Sequence, residues 1–172
     1  MHGTHRLPAR QAWLLMPALA ATFACGGSGD GGATVTTPGG QSAFSANVTG
    51  AVTATLTGAA AYLTDANDFS LVMTTSVGRN AITLLRHTAG VPTAATYTIA
   101  DMTTGAPAAT AFAANFVANG STQYISRSGT VVVTSVSGGH VKGTFDMQAA
   151  QFSAGTTGAA VHITGSFDAL TP

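Results

Sequence analysis

Val141-Lys142-Gly143-Thr144-Phe145-Asp146-Met147-Gln148-Ala149 carries an apolar residue or glycine at every odd position and a polar residue at every even one. A period of two sends alternate side chains to opposite sides of an extended chain, so the segment reads as a strand with one buried and one solvated face. The run from Val161 to Ala169 repeats the pattern, with Val161, Ile163, Gly165, Phe167 and Ala169 set against His162, Thr164, Ser166 and Asp168. If the hairpin joining the two is symmetric about Gly155, Lys142 lies opposite Asp168 on the outer face, an exposed pair worth a few tenths of a kcal/mol. Both strands also hold Gly-x-Phe-Asp, at Gly143 to Asp146 and Gly165 to Asp168. A strand glycine permits a bend, so the shared device is expected to curve the sheet.

Working outward, further strands are expected at Ala43 to Thr49, Val52 to Thr57, Ala59 to Leu63, Phe69 to Ser76, Ala81 to Arg86, Thr96 to Ala100 and Thr130 to Val136. Tyr124 to Arg127 extends the last of these backwards. Turn residues punctuate them at Thr49-Gly50, Gly78-Arg79-Asn80, Gly90-Val91-Pro92 and Gly155-Thr156-Thr157-Gly158, where glycine, asparagine and proline favour chain reversal. Gly138-Gly139 suits a two-residue hairpin of type I′ or II′, because glycine accepts the positive φ that such turns need. That hairpin faces Val136 with Val141 and Val132 with Phe145, all inward; a slip of one residue turns the valines to solvent. In Ala108 to Ala118, Phe112 and Phe116 fit a helix face or alternate strand positions around Ala114, and the strand is preferred. Many short strands joined in order give an all-β fold: a single antiparallel meander forming a small β-barrel or β-sandwich of about 8–10 strands. The core is stocked with Phe, Val, Ile, Leu and much Ala, so it is expected to be thin and poorly suited to lining a wide cavity.

Composition supports this class. Hydrophobic residues make up 45% of the 172 residues and charged ones only 7%, so hydroxyls and backbone must solvate the surface. Threonine's branched Cβ restricts χ1 and suits a pleated sheet. Two of the six basic residues, Arg6 and Arg10, lie at the extreme N-terminus, leaving four against six aspartates and no glutamate. Four scattered cations cannot displace counterions from a phosphate backbone, which sets nucleic-acid binding aside.

Residues 1–24 read as an export signal. Arg6 and Arg10 precede an apolar run from Ala12 to Ala24, too short to span a bilayer at 1.5 Å per residue, for which about 20 residues are needed, but suited to a signal's hydrophobic region. Cys25 is the one cysteine of the chain and stands between that run and Gly26-Gly27-Ser28-Gly29-Asp30-Gly31-Gly32. This looks like a lipobox, whose cysteine receives diacylglycerol and becomes the new N-terminus; Ala24 fits, while Thr22, Phe23 and Pro17 depart from the usual pattern. The alternative is ordinary cleavage after Ala18-Leu19-Ala20, leaving Cys25 a free thiol. Lipidation at Cys25 implies a membrane partner through the N-terminal lipid. Gly26 rather than Asp after the cysteine favours, by resemblance to lipoprotein sorting, the outer membrane, on its periplasmic or cell-surface face. Residues 25–41 then form a Gly-rich tether of about 20–24 Å r.m.s. reach, and residues 42–172 the β domain.

The run Gly129-Thr130-Val131-Val132-Val133-Thr134-Ser135, continuing through Val141-Lys142-Gly143-Thr144-Phe145 and closing with Val161-His162-Ile163-Thr164-Gly165-Ser166-Phe167, resembles the C-terminal half of an uncharacterised family of small β-rich bacterial lipoproteins. Ala94-Ala95-Thr96-Tyr97-Thr98-Ile99 is similar to that family's Gly-Thr-Tyr strand, with alanine in the glycine's place. The resemblance spans roughly residues 42 to 169. It implies an exported β-rich lipoprotein; the family has no assigned function or catalytic residues, so none is carried over.

Few residues point to chemistry. Asp65-Ala66-Asn67-Asp68 is the densest acidic spot, but a calcium loop starting at Asp65 needs glycine sixth and glutamate twelfth, where Ser70 and Ser76 stand; a turn held by Asp and Asn side chains is the simpler reading. His87, His140 and His162 lack the spacing that converges ligands on zinc and read as surface residues. No Gly-x-Ser-x-Gly elbow occurs, and the absence of glutamate removes many acid/base schemes. Tyr62, Tyr97 and Tyr124 could stack on sugars, but each falls on a core-facing position with its hydroxyl at the rim. The expectation is a non-catalytic module with a structural or binding role, without cofactor or metal; the alternative is a lipocalin-like carrier of a small apolar ligand.

Overall fold

The computed structural model describes residues 42–76, 79–153 and 156–172. The expected signal and tether and Cys25 lie outside the described residues, as do Gly78 and Gly155 of two expected turns. Nine strands follow in order: β1 (Ala43–Gly50), β2 (Ala54–Thr64), β3 (Phe69–Thr75), β4 (Ala81–Arg86), β5 (Ala95–Ile99), β6 (Ala113–Ala118), β7 (Thr122–Ser137), β8 (His140–Ser153) and β9 (Thr156–Leu170). Antiparallel neighbours run β7-β6-β4-β3-β2-β1-β9-β8, and β8 pairs back onto β7, so eight strands close into a barrel. The ninth, β5, pairs with Val133 to Gly129 of β7, while β6 takes Ile125 to Thr122 of the same edge. Of the two architectures expected, the sheet is the barrel. Closure leaves no long free edge, which an open sheet of this length would expose.

The register of β8 and β9 is the one the alternation dictates. Lys142 faces Asp168, Gly143 faces Phe167 and Phe145 faces Gly165. Gly138 and Gly139 have φ of +59° and +78°, the pair of positive values that a type I′ hairpin requires. Ala108 to Ala118 contributes a strand, β6, with Phe112 and Phe116 both fully buried.

Two expectations are corrected. Val52 to Thr57 and Ala59 to Leu63 form one continuous strand from Ala54 to Thr64, because Gly58 is not a break but a point where β2 passes close to the Thr74 carbonyl of β3. Val132 is not inward. Val136 does face Val141 but is 43% exposed near the strand end rather than inward, and the register shifts by one between Val133 and Ser135, so Val132 faces Thr144 and Val131 faces Phe145. A second shift lies between Ser126 and Ser128. Each bulge inserts one residue and reverses which parity points inward. Tyr124 and Ser126 are therefore inside before the first bulge, and Val131 and Val133 after it.

Inward side chains alternate small and large, as a narrow barrel requires. Ala46, Ala60, Ala114, Ala118, Ala149 and Ala169 sit among Phe69, Phe112, Phe116, Met73, Leu84 and Ile163. Ser126 is the buried polar exception: its hydroxyl donates to the Ala100 carbonyl at 2.8 Å and accepts from the Ala114 amide at 3.2 Å. It thereby ties the 100–112 connection to the barrel wall.

Candidate functional site

One end of the barrel gathers the ends of β2 and β4, the starts of β3 and β8, the Asp65 to Asp68 turn and the connection holding β5. Arg86 lies opposite Phe69 on adjacent strands. Directly opposed residues project to the same side of a sheet, and Phe69 is fully buried, so Arg86 points to the barrel's inner side. Its guanidinium carbon stands 5.1 Å from the centroid of Tyr97, a cation–π contact. Tyr97 meets Phe112 edge-on at 5.5 Å, Phe112 meets Phe69 edge-on at 6.2 Å, and Phe69 stacks on Tyr62 at 5.8 Å. The Tyr97 hydroxyl donates to the Thr93 carbonyl at 2.9 Å, as a rim hydroxyl should. Arg86 Nε is buried and has no hydrogen-bond partner among the described residues.

Sequence reasoning passed over Arg86. The signal was present, since Arg86 continues the phase of Ile82 and Leu84, both 0% exposed; a cation in the inward phase at a strand end was the feature to follow.

The three described histidines each meet an aspartate. His87 Nδ1 lies 2.7 Å from Asp68, His140 Nδ1 2.5 Å from Asp168, and His162 Nε2 2.8 Å from Asp146. An ionised carboxylate can only accept, so the bonded nitrogen carries the proton in each case. Lys142 Nζ completes a three-membered cluster, 2.7 Å from the other oxygen of Asp168. Burial alone would raise the Asp168 carboxyl; hydrogen bonds and charge from Lys142 and His140 outweigh it and hold the group below its ordinary value. No group of three His, Cys, Asp or Glu residues among the described residues is placed to hold a metal ion.

Asp65 Oδ1 accepts the amides of Asn67 and Asp68 at 2.7 and 2.8 Å, which also lowers its pKa. This is the Asx turn that the Asp-Asn pattern implied. Asp101 is engaged by the Thr103 hydroxyl and amide, which hold it below its ordinary range with Arg127 3.3 Å away. Tyr62 and Tyr124 are buried, the latter stacked on Phe116 at 5.7 Å. Neither presents a ring face for a sugar.

Comparison of the chain with protein-family models, curated sequences and solved structures returns no match.

Proposed function

We propose that the chain is an exported lipoprotein, anchored in the outer membrane by lipid on Cys25, whose barrel is a non-catalytic module with a binding role. The observation that carries the non-enclosing part is the filled interior. A void of ligand size leaves its lining side chains accessible, whereas Ala60, Met73, Ile82, Leu84, Phe116, Val141, Met147, Ile163 and Ala169 are all 0% exposed. Ligand cavities of carriers run to hundreds of Å³. The closed antiparallel barrel speaks for a lipocalin-like carrier; the packing of its middle speaks for the display module. The histidines support the same reading, because their hydrogen bonds to Asp68, Asp146 and Asp168 fasten outer-face strands and turns.

The anchoring rests on the apolar run ending at Cys25 and the glycine tether behind it. Each acyl CH₂ contributes about 0.8 kcal/mol in the bilayer, and more than one chain makes attachment stable. Labelling cells with radioactive palmitate tests this: the wild type takes up label and Cys25→Ser does not. Protease shaving of intact cells then reports which side the module faces. An unlabelled wild type, secreted freely, overturns the proposal.

A further inference from the structure

We propose that the outer surface of β2, β3, β4 and β6 docks on a phospholipid bilayer. The inference deepens the membrane attachment proposed above and rests on it for proximity, not for the face itself. Alternation places that face. Leu71 and Met73 are buried inward, so Val72 between them points out, and its cross-strand partners Ala61 and Thr83 point out with it. Leu63, Leu85 and Val117 hold outward positions around this row, and Ile125 of β7 borders it. Leu63 is 47% exposed. Ser70, Thr74 and Asn115 fill the places between, and no outward residue of these four strands is charged. The opposite half differs: Lys142 and Asp146 of β8 and His162 and Asp168 of β9 project from it as ion pairs. Polarity is thus segregated around the circumference, as on an amphipathic element that lies in a membrane interface.

Curvature and connectivity select the occupant. Four of the eight wall strands take up about half the circumference, so the face is convex. Two convex faces meet along a strand or two and fall short of the roughly 800 Å² per partner of a stable dimer, whereas a deformable lipid interface follows the curve. The chain also enters the barrel at the border of this face. Phe44 faces Gly58, which puts Ala43 beside Ala59, two residues before Ala61. Residues 26–41 lead there from Cys25, and their r.m.s. reach of about 20–24 Å keeps the face within range of the bilayer. Asp65 and Asp68 follow directly on its Leu63 end, so the contact is apolar and does not call for anionic headgroups.

The test holds the mature chain from residue 25, with Cys25→Ser and a histidine tag ahead of it, on phosphatidylcholine vesicles containing a nickel-chelating lipid. The tag supplies proximity whether or not Cys25 is acylated in cells. Single cysteines, Leu85→Cys on the face and Thr144→Cys on the opposite half, carry a polarity-sensitive fluorophore. A nitroxide on the lipid acyl chains quenches labels sunk about 5–10 Å into the interface. A blue shift and quenching are expected for the Leu85→Cys label and neither for the Thr144→Cys label. Val72→Asp, at an outward position, should abolish both signals of the Leu85→Cys label. Far-UV circular dichroism checks that each variant folds; should Val72→Asp not fold, the contrast between the two labels decides alone. Equal quenching of the two labels, quenching of neither, or undiminished quenching in folded Val72→Asp overturns the inference. So does a blue shift without quenching that fades on dilution with unlabelled chain, the mark of a second copy. Quenching in a protein whose wild type takes up no palmitate removes the anchor and keeps the face; palmitate uptake without quenching does the reverse.

Discussion

Phe167 lays its ring over Gly143. A Cβ built on that glycine would stand 2.7 Å from Cζ of the ring, and Phe145 comes as close to Gly165, at 2.6 Å. The two Gly-x-Phe stretches are antiparallel neighbours in a register that sets each phenylalanine across from the other strand's glycine. The repeated motif is therefore one reciprocal packing unit, in which each ring covers the backbone that the missing side chain leaves bare. Gly143→Ala would set a Cβ 2.2 Å from the Val132 carbonyl as well as against the ring, and this overpacking should lower stability by about 1–3 kcal/mol, read as a lower urea midpoint at unchanged slope. Ser166→Ala, on the exposed side of the same hairpin, should change it by less than about 0.5 kcal/mol. Equal midpoints for the two variants would mean that neither the ring nor the Val132 carbonyl needs the gap.

Ser126 bridges two backbone groups of separate segments, the Ala100 carbonyl and the Ala114 amide. Ser126→Ala should cost about 1–3 kcal/mol, because both lose this hydrogen bond and the Ala114 side of it is buried. Hydrogen exchange at the Ala114 amide is the more specific readout, and it should accelerate more than exchange across β8 and β9.

The Asp168 cluster gives a pH dependence of known sign. Its folded carboxyl titrates below the ordinary value of 3.8, so its contribution is complete above that value and is lost as the pH falls through the lower folded one. Lys142 is about half exposed, and solvent screening keeps the pair's worth at neutral pH under about 1 kcal/mol. Thermal melts of wild type and Asp168→Asn should therefore differ slightly at neutral pH and converge in strong acid. A gap that widens on acidification contradicts the assignment.

Phe116 is fully buried and stacked on Tyr124. Phe116→Ala should lose about 3–5 kcal/mol and leave a cavity. If the native interior is as full as its accessibility implies, xenon under pressure should perturb core methyl resonances in the variant and not in the wild type. Equal perturbation in both would reveal native space and favour the enclosed-ligand carrier.

How much of this was legible in the chain differs from element to element. The β8–β9 pairing was readable because each strand keeps strict alternation for nine residues from Val141 and from Val161, and a one-residue slip would expose every apolar side chain. β7 defeated the same rule. Its two bulges reverse the inward parity twice, and bulges answer to the curvature of a closed sheet, which no local pattern encodes. The candidate site was hidden for a related reason. Arg86 and Tyr97 are on separate strands, and the chain between Ile99 and Ala113 loops away before the Phe112 and Thr98 backbones meet at 2.9 Å.

Alternation, turn glycines and threonine-rich strands by themselves determined an all-β meander, since side-chain direction and allowed φ are properties of a few adjacent residues. Closure into a barrel, the double parity reversal in β7, the pairing of every described histidine with an aspartate and the placing of Arg86 against Tyr97 were decided only in three dimensions. They depend on which residues far apart in the chain become neighbours, and that is set by the shear and curvature of the whole sheet.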